Sequence, residues 1–168
     1  MTAANADHRV MLLTEFHGQA AAVVDESPAE VFAAITAIDR LPEWNERIAS
    51  VTRPPVAPLA KDVEWTVQMS VPPAKWPSRS RVVAYDPDGM YFEHISQSDD
   101  GNPSYIVWRW SVMPHERGAR IAVEWSGYPK TFWRRLLFAR LRRKQLQREV
   151  PTSLHALAYH LAPSEAAR

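Results

Sequence analysis

The sequence predicts an α+β domain in which an antiparallel sheet of six or seven strands curves around one long C-terminal helix. Two observations carry this prediction. Apolar residues from Phe132 to Leu161 recur with helical period within residues 130–161. Between residues 18 and 128, several short stretches alternate apolar and polar side chains, as strands with one buried face do. A sheet that closes around a helix leaves a cavity between them, and that cavity is the candidate site.

Two short helices are predicted after the first strand, which lies within residues 9–25 and most clearly at 19–24. Ser27 is a favourable N-cap, Pro28 suits the first helical position, and Glu30 completes a capping box. This helix is expected to run to about residue 39, and a second short turn is expected at 41–44. Residues 1–8 are small and polar, which predicts a disordered N-terminus before a single domain at 9–161 and a tail at 162–168.

The later strands follow from alternation and turn signals. Residues 62–71 alternate cleanly, and strands at 79–85 and 90–96 are joined by Asp86-Pro87-Asp88-Gly89, a strong turn sequence. Residues 105–113 and 120–126 alternate again. Residues 72–77 contain three prolines and are predicted to form a loop.

The chain also resembles a known superfamily, and the most specific motif lies in its first third. The motif Ser27-Pro28-Ala29-Glu30-Val31-Phe32, followed by Asp39, Leu41-Pro42 and Trp44-Asn45, resembles the opening of SRPBCC proteins. These include polyketide cyclase/dehydrase proteins, START domains and the birch-pollen-allergen type. The resemblance covers residues 18–161. It implies the helix-grip fold and a cavity for a hydrophobic ligand, and it does not name the ligand.

Composition narrows the chemistry. The chain has no cysteine, which excludes disulfides and thiolate sites. Without a secretory signal or a long apolar stretch in the sequence, we expect a soluble cytoplasmic protein. No metal or cofactor motif is found, so neither is expected. Net charge is +1, but residues 130–168 hold nine basic and two acidic residues, a net charge of +7.

Seven tryptophans are many for 168 residues and suggest an aromatic wall around a pocket, although ordinary core packing would use the same residues. The candidate ligand-binding residues lie on the apolar strand faces, in the proline-rich loop at the pocket's rim and on the helix. They are Trp65, Met69, Trp76, Trp108, Trp110, Trp125 and Arg143.

Arg143 is included because it falls inside the apolar helical stripe, where an unpaired charge is costly. It is expected to pair with a carboxylate of the sheet or with a ligand, unless it reaches solvent at the helix edge. Glu93, His94 and Arg81 are weak catalytic candidates, because they lie mid-strand and one strand face must point inward. The sequence leaves open which face that is.

The functional hypothesis is binding of a hydrophobic, aromatic or polycyclic small molecule between sheet and helix. One alternative is a cofactor-independent aromatase or cyclase, which requires polar groups such as Arg81, His94 and Arg143 to converge. The other is an interaction module, because Trp133, Leu137 and Leu141 form a second apolar stripe flanked by basic residues. As for partners, the sequence leaves a homodimer open and makes membrane contact less favoured. Binding of nucleic acid is not expected, because the basic residues circle the helix instead of following one side of it.

Overall fold

The structure of the chain, a computed structural model, describes residues 12–162. This part of the chain forms seven strands: β1 Phe16–Val24, β2 Ile48–Arg53, β3 Glu64–Val71, β4 Ala74–Asp86, β5 Tyr91–Ser98, β6 Tyr105–His115 and β7 Gly118–Tyr128. They form one antiparallel sheet in the order β1-β7-β6-β5-β4-β3-β2. The predicted sheet around a long C-terminal helix is confirmed. The expected disorder of residues 1–8 and the tail beyond Ala162 lie outside the described residues.

The helix after β1 begins as its sequence predicts. In α1, Pro28–Thr36, the Ser27 hydroxyl accepts from the Glu30 N–H at 3.3 Å, and the Glu30 carboxylate accepts from the Ser27 N–H at 3.2 Å. The capping box is therefore confirmed. The helix ends three residues earlier than expected, and a 3₁₀ helix, Ile38–Glu43, follows it. Both helices bury their apolar side chains in the core.

Two parts of the sheet differ from the sequence prediction. Strand β2 is absent from that prediction, because it is short and mostly exposed and shows little alternation. The predicted loop at 72–77 is wrong: only Pro72-Pro73 forms the turn, and β4 already begins at Ala74. Pro77 has no N–H to donate, but it fits within β4 because β5 ends at Ser98, opposite Ser78. No backbone hydrogen bond to β5 is therefore lost at Pro77.

The C-terminal helix is divided into a buried part and an exposed beginning. Within α2, Ala139–Leu161, the side chains of Leu146, Leu154 and Leu157 are at most 2% exposed and close the core over the sheet. The stripe predicted from Phe132 is wrong at its start, since Phe132 is 57% exposed. A π-helical turn, Arg134–Phe138, separates the two parts and holds more residues per turn than an α-helix, so it shifts the helical phase. The helix runs unbroken through Pro151.

Candidate functional site on the inner face of the sheet

The register of the strands lines up one row of side chains on the face that meets α2. Val82 of β4 stands beside His94 of β5, His94 beside Trp108 of β6, Trp108 beside Trp125 of β7, and Trp125 beside Gly18 of β1. A side chain at Gly18 would collide with the Trp125 indole. Three consecutive positions of the row therefore carry rings, those of His94, Trp108 and Trp125, because the next position, Gly18, has no side chain.

His94 lies within this aromatic wall. Its ring stacks on Trp65 with centroids 5.2 Å apart and on Phe92 with centroids 5.1 Å apart, and Trp108 lies 6.3 Å away. The Nδ1 atom is buried and has no hydrogen-bond partner within residues 12–162. Burial without a compensating charge lowers the pKa of His94 to about 3. The imidazole is therefore neutral at neutral pH.

Two indole nitrogens are, like Nδ1 of His94, buried without a hydrogen-bond partner in the described part of the chain. The Nε1 atoms of Trp125 and Trp44 are buried without a partner in the described part of the chain, although an indole N–H can only donate. Trp44 follows the 3₁₀ helix and meets Trp110 edge-on at 6.3 Å. Trp108 differs, because its N–H donates to the Ser96 hydroxyl at 2.9 Å. The inner aromatic wall thus combines a satisfied indole with three ring nitrogens that the described residues leave without partners.

The other candidate ligand-binding residues of the sheet also lie on this inner face. Met69 packs against the core and pairs with Trp76, which occupies a strand instead of a loop. Trp65 is 3% exposed and Trp125 is 1% exposed, whereas Trp108 and Trp110 are partly buried. The sheet therefore brings the predicted aromatic residues together on one surface. Their role as ligand contacts stays a prediction.

The two other catalytic candidates face away from this surface. Glu93 points to the outer face, where its carboxylate accepts from the Tyr91 hydroxyl at 2.6 Å and lies 3.6 Å from Arg109. Arg81 pairs with Asp62 at 2.8 Å and lines a concavity of about 230 Å³ on the same outer side. Of the three weak candidates, only His94 belongs to the inner site. The convergence of Arg81, His94 and Arg143 that the enzymatic alternative requires does not form.

Arg143 does not face the sheet; its side chain is exposed. It lies at the margin of the buried stripe, where a long side chain reaches solvent. The arginine that does reach the interior is Arg142. Its guanidinium lies over the Trp76 ring at 5.9 Å and pairs with Glu149 at 3.1 Å, and Glu149 also pairs with Arg47 at 3.3 Å.

Sequence reasoning missed this Arg142–Glu149–Arg47 cluster. Glu149 is 10% exposed as a side chain and Arg142 is 23% exposed, so burial lowers the pKa of Arg142 while the Glu149 carboxylate opposes that shift. The cluster connects α2 to the chain just before β2, at the opposite edge of the sheet from β1. The spacing of seven residues between Arg142 and Glu149, two helical turns, was the available signal.

Comparisons with known proteins agree with this architecture. The family described as polyketide cyclase/dehydrase and lipid transport matches residues 15–162. The chain belongs to that family, within the SRPBCC superfamily. The comparison with curated proteins finds no match. Family and fold are those of a hydrophobic-ligand-binding scaffold.

Solved structures with the same fold are distant in sequence. The Thermus thermophilus protein TTHA0849 is 17% identical, with a TM-score of 0.66, and covers 89% of this chain and 99% of its own. Ara h 8.0201 is 13% identical, with a TM-score of 0.67 and coverages of 88% and 99%. The Chromobacterium violaceum protein CV1439 is 16% identical, with a TM-score of 0.67 and coverages of 88% and 98%. At these identities the likeness shows the fold alone.

No helix in the described part of the chain, residues 12–162, is long and apolar enough to cross a membrane.

Proposed function

We propose that the protein binds a hydrophobic, aromatic or polycyclic small molecule between the inner face of the sheet and α2, as a polyketide cyclase/dehydrase-like protein. One observation carries the proposal: on the inner aromatic wall, the buried ring nitrogens of His94, Trp125 and Trp44 have no partner among the described residues. Buried polar groups are almost always hydrogen-bonded, and leaving one unpaired costs about 1–3 kcal/mol. A bound molecule that supplies partners would remove this cost.

The chemistry of these nitrogens restricts the ligand. Two indole N–H groups require acceptor oxygens, such as carbonyl, ether or phenol oxygens. The neutral imidazole of His94 has one donor and one acceptor nitrogen, so it can also meet a hydroxyl group. The surrounding indoles offer flat faces on which rings stack. A fused-ring molecule with a few oxygen atoms at its edge fits these requirements better than a simple fatty chain.

Catalysis without a cofactor is the second candidate, and His94 is the observation that favours it. Of the three catalytic candidates, it is the one that lies on the inner wall. Its pKa of about 3 makes it a weak base, whereas general-base catalysis works best with a pKa near the working pH. Binding is therefore the better supported function.

The test begins with native mass spectrometry of protein purified from its own host, followed by extraction of any bound molecule. Purified protein is then titrated with naringenin, a ring system rich in oxygen, and with phenanthrene, which has none, and tryptophan fluorescence is recorded. His94→Phe should weaken naringenin binding about tenfold, since one hydrogen bond of about 1.4 kcal/mol is lost, and should change phenanthrene binding less than about twofold.

Two matched variants control this measurement. Trp125→Phe removes an indole N–H that has no partner within residues 12–162, whereas Trp108→Phe removes one that already donates to Ser96. The loss of naringenin affinity relative to phenanthrene should be larger for Trp125→Phe. Glu93→Gln, on the outer face beside His94, should change neither affinity. The proposal fails if no adduct is found and neither probe changes the fluorescence, or if Glu93→Gln and His94→Phe act alike.

A further inference from the structure

The beginning of the C-terminal helix presents an apolar surface to solvent. Across residues 132–141, five large apolar side chains are more than half exposed: Phe132 57%, Trp133 66%, Leu137 61%, Phe138 52% and Leu141 53%. The remaining exposed large apolar side chains within residues 12–162 are isolated: Leu12, Val56 and Met113 lie outside the helix, and Tyr159 lies at its far end. Trp133, Leu137 and Leu141 follow one another at intervals of four residues, which is close to one turn in both the α-helical and the π-helical part, so they share one face. Such a concentration marks a surface that contacts another body.

The segment that carries this surface is strongly basic, and the Asp100 carboxylate lies near one of its residues, Arg134. Residues 130–148 contain eight basic residues and no acidic residue. Lys130, Arg143, Lys144 and Arg148 are exposed. Lys144 and Arg148 continue the face of Trp133, Leu137 and Leu141 toward the C-terminus. A helix with aromatic and leucine side chains on one face, bordered by Lys and Arg, has the composition of helices that lie in membrane interfaces.

Charge also discriminates between occupants of this surface. A second copy joined through the same surface about a two-fold axis would bring Lys144 and Arg148 of one protomer against basic residues of the other, and such contacts repel. A bilayer with anionic lipids offers an apolar interior for Trp133 and Leu137 and negative head groups for the basic border. The charge pattern therefore favours the anionic bilayer over a homodimer.

We infer that residues 130–148 form a docking surface for anionic lipid bilayers, with Trp133, Leu137 and Leu141 entering the interface and Lys144 and Arg148 at the head groups. This surface is separate from the inner aromatic wall, so docking does not depend on the proposed ligand site. Because the apolar and charged contributions come from different residues, each can be removed without the other.

The experiment is co-sedimentation of the full chain with vesicles of phosphatidylcholine, alone or mixed with phosphatidylglycerol. We expect binding to the mixed vesicles only, and weaker binding as salt rises from about 0.1 M to about 1 M, since the Debye length shrinks about threefold. The double variant Trp133→Ser/Leu137→Ser should lose binding by at least about tenfold. Lys144→Gln/Arg148→Gln should lose affinity and most of the salt dependence.

Controls separate docking from folding and from ligand uptake. Tyr159→Ser removes a side chain that is 86% exposed at the far end of the same helix and should leave binding unchanged. His94→Phe alters the inner wall and should also bind vesicles normally. Circular dichroism melts check that each variant folds.

The inference is overturned if wild type ignores mixed vesicles, or if it binds phosphatidylcholine equally well. Loss of binding in Tyr159→Ser to the same degree as in Trp133→Ser/Leu137→Ser would also overturn it. So would sedimentation velocity showing a dimer that the Trp133→Ser/Leu137→Ser variant dissolves while no vesicle binding is seen.

Discussion

Neighbouring residues of β5, Glu93 on the outer face of the sheet and His94 on the inner face, differ in whether their polar groups find partners. On the outer face, Glu93 accepts from Tyr91 and pairs with Arg109, and Arg109 donates to Ser126, which also contacts His17. On the inner face, His94 Nδ1 has no partner among the rings around it or elsewhere in residues 12–162. The outer groups stabilise one another, whereas on the inner face the Trp108 indole has a partner, Ser96, and the ring nitrogens of His94, Trp125 and Trp44 have none within residues 12–162.

The paired outer residues have a structural role, whereas the unpaired inner ring nitrogens have no structural partner within residues 12–162. In a sheet with one face on the core, successive residues of a strand point to opposite faces, so every second residue meets solvent. Paired charges and hydrogen-bonded polar side chains are an ordinary way to cover that outer surface. The need to cover a solvent-facing surface does not explain a buried ring nitrogen, because an apolar side chain at that position would avoid the free-energy cost of burying an unpaired polar group. The inner face is therefore where function is expected, and four substitutions, two of them with a matched control, test the contrast.

The largest effect is expected for the Arg142–Glu149–Arg47 cluster. Glu149→Gln leaves the guanidiniums of Arg142 and Arg47 without their shared carboxylate, one of them largely buried, and should lower the free energy of unfolding by about 3 kcal/mol. The matched outer substitution, Asp62→Asn, breaks the exposed pair with Arg81 and should cost less than about 1 kcal/mol. Urea unfolding of both variants measures the difference. Equal losses would contradict the contrast between inner and outer pairs.

The next effect concerns the end of the aromatic row. Gly18→Ala places a methyl group where the Trp125 indole lies, so the indole must shift or the strand must move. Overpacking of this kind costs about 1–3 kcal/mol, and we expect about 2 kcal/mol by urea unfolding. Ala21→Val, on the exposed side of the same strand, is the control and should change stability little. An undisturbed near-ultraviolet circular dichroism spectrum in Gly18→Ala would show that the close contact with Trp125 is not required.

The third effect is a pH dependence of stability that arises from His94. Its pKa is about 3 in the folded protein and near 6.5 when unfolded, so between these values the unfolded chain binds one more proton. The free energy of unfolding contributed by this group is complete above about pH 6.5 and falls as pH decreases, by up to about 1.4 kcal/mol per pH unit. His94→Phe removes the group. Urea melts of both proteins at several pH values give the free energy of unfolding as a function of pH. This free energy should fall more steeply with decreasing pH in the wild type than in His94→Phe. Equal pH dependence would mean that His94 is protonated as easily in the folded protein as in the unfolded chain.

The smallest effect is expected on the outer face. Burial first, then the hydrogen bond to Glu93, raises the pKa of Tyr91 to about 12. Glu93→Gln weakens that second cause, so ultraviolet titration should show the Tyr91 phenol ionising at lower pH. Stability should change by less than about 1 kcal/mol, as for other partly exposed pairs. A loss comparable to that of Glu149→Gln would place the outer network among the main stabilising contacts.

Much of the scaffold could be predicted from the sequence, because its signals are local. Alternation at residues 62–71 placed Trp65 and Met69 on one face, and the Ser27 capping box placed α1. The orientation of β5 could not be predicted, since both of its faces carry polar and apolar residues. Tertiary packing decided that His94 faces inward, through its register with Trp108 of β6.

The C-terminal helix shows the same division most clearly. Its length and its apolar repeat from Ala139 to Leu161 follow from helical period, which needs no knowledge of the rest of the chain. The sequence left open whether Arg143 pairs with the sheet or reaches solvent at the helix edge, and the structure shows that its side chain reaches solvent. The local periodicity of apolar residues in the sequence thus determined where helices and strands form and which of their residues share a face. Which face each element buries was decided by tertiary contacts between residues far apart in sequence, and with it the choice of Arg142, Glu149 and His94 as interior polar groups.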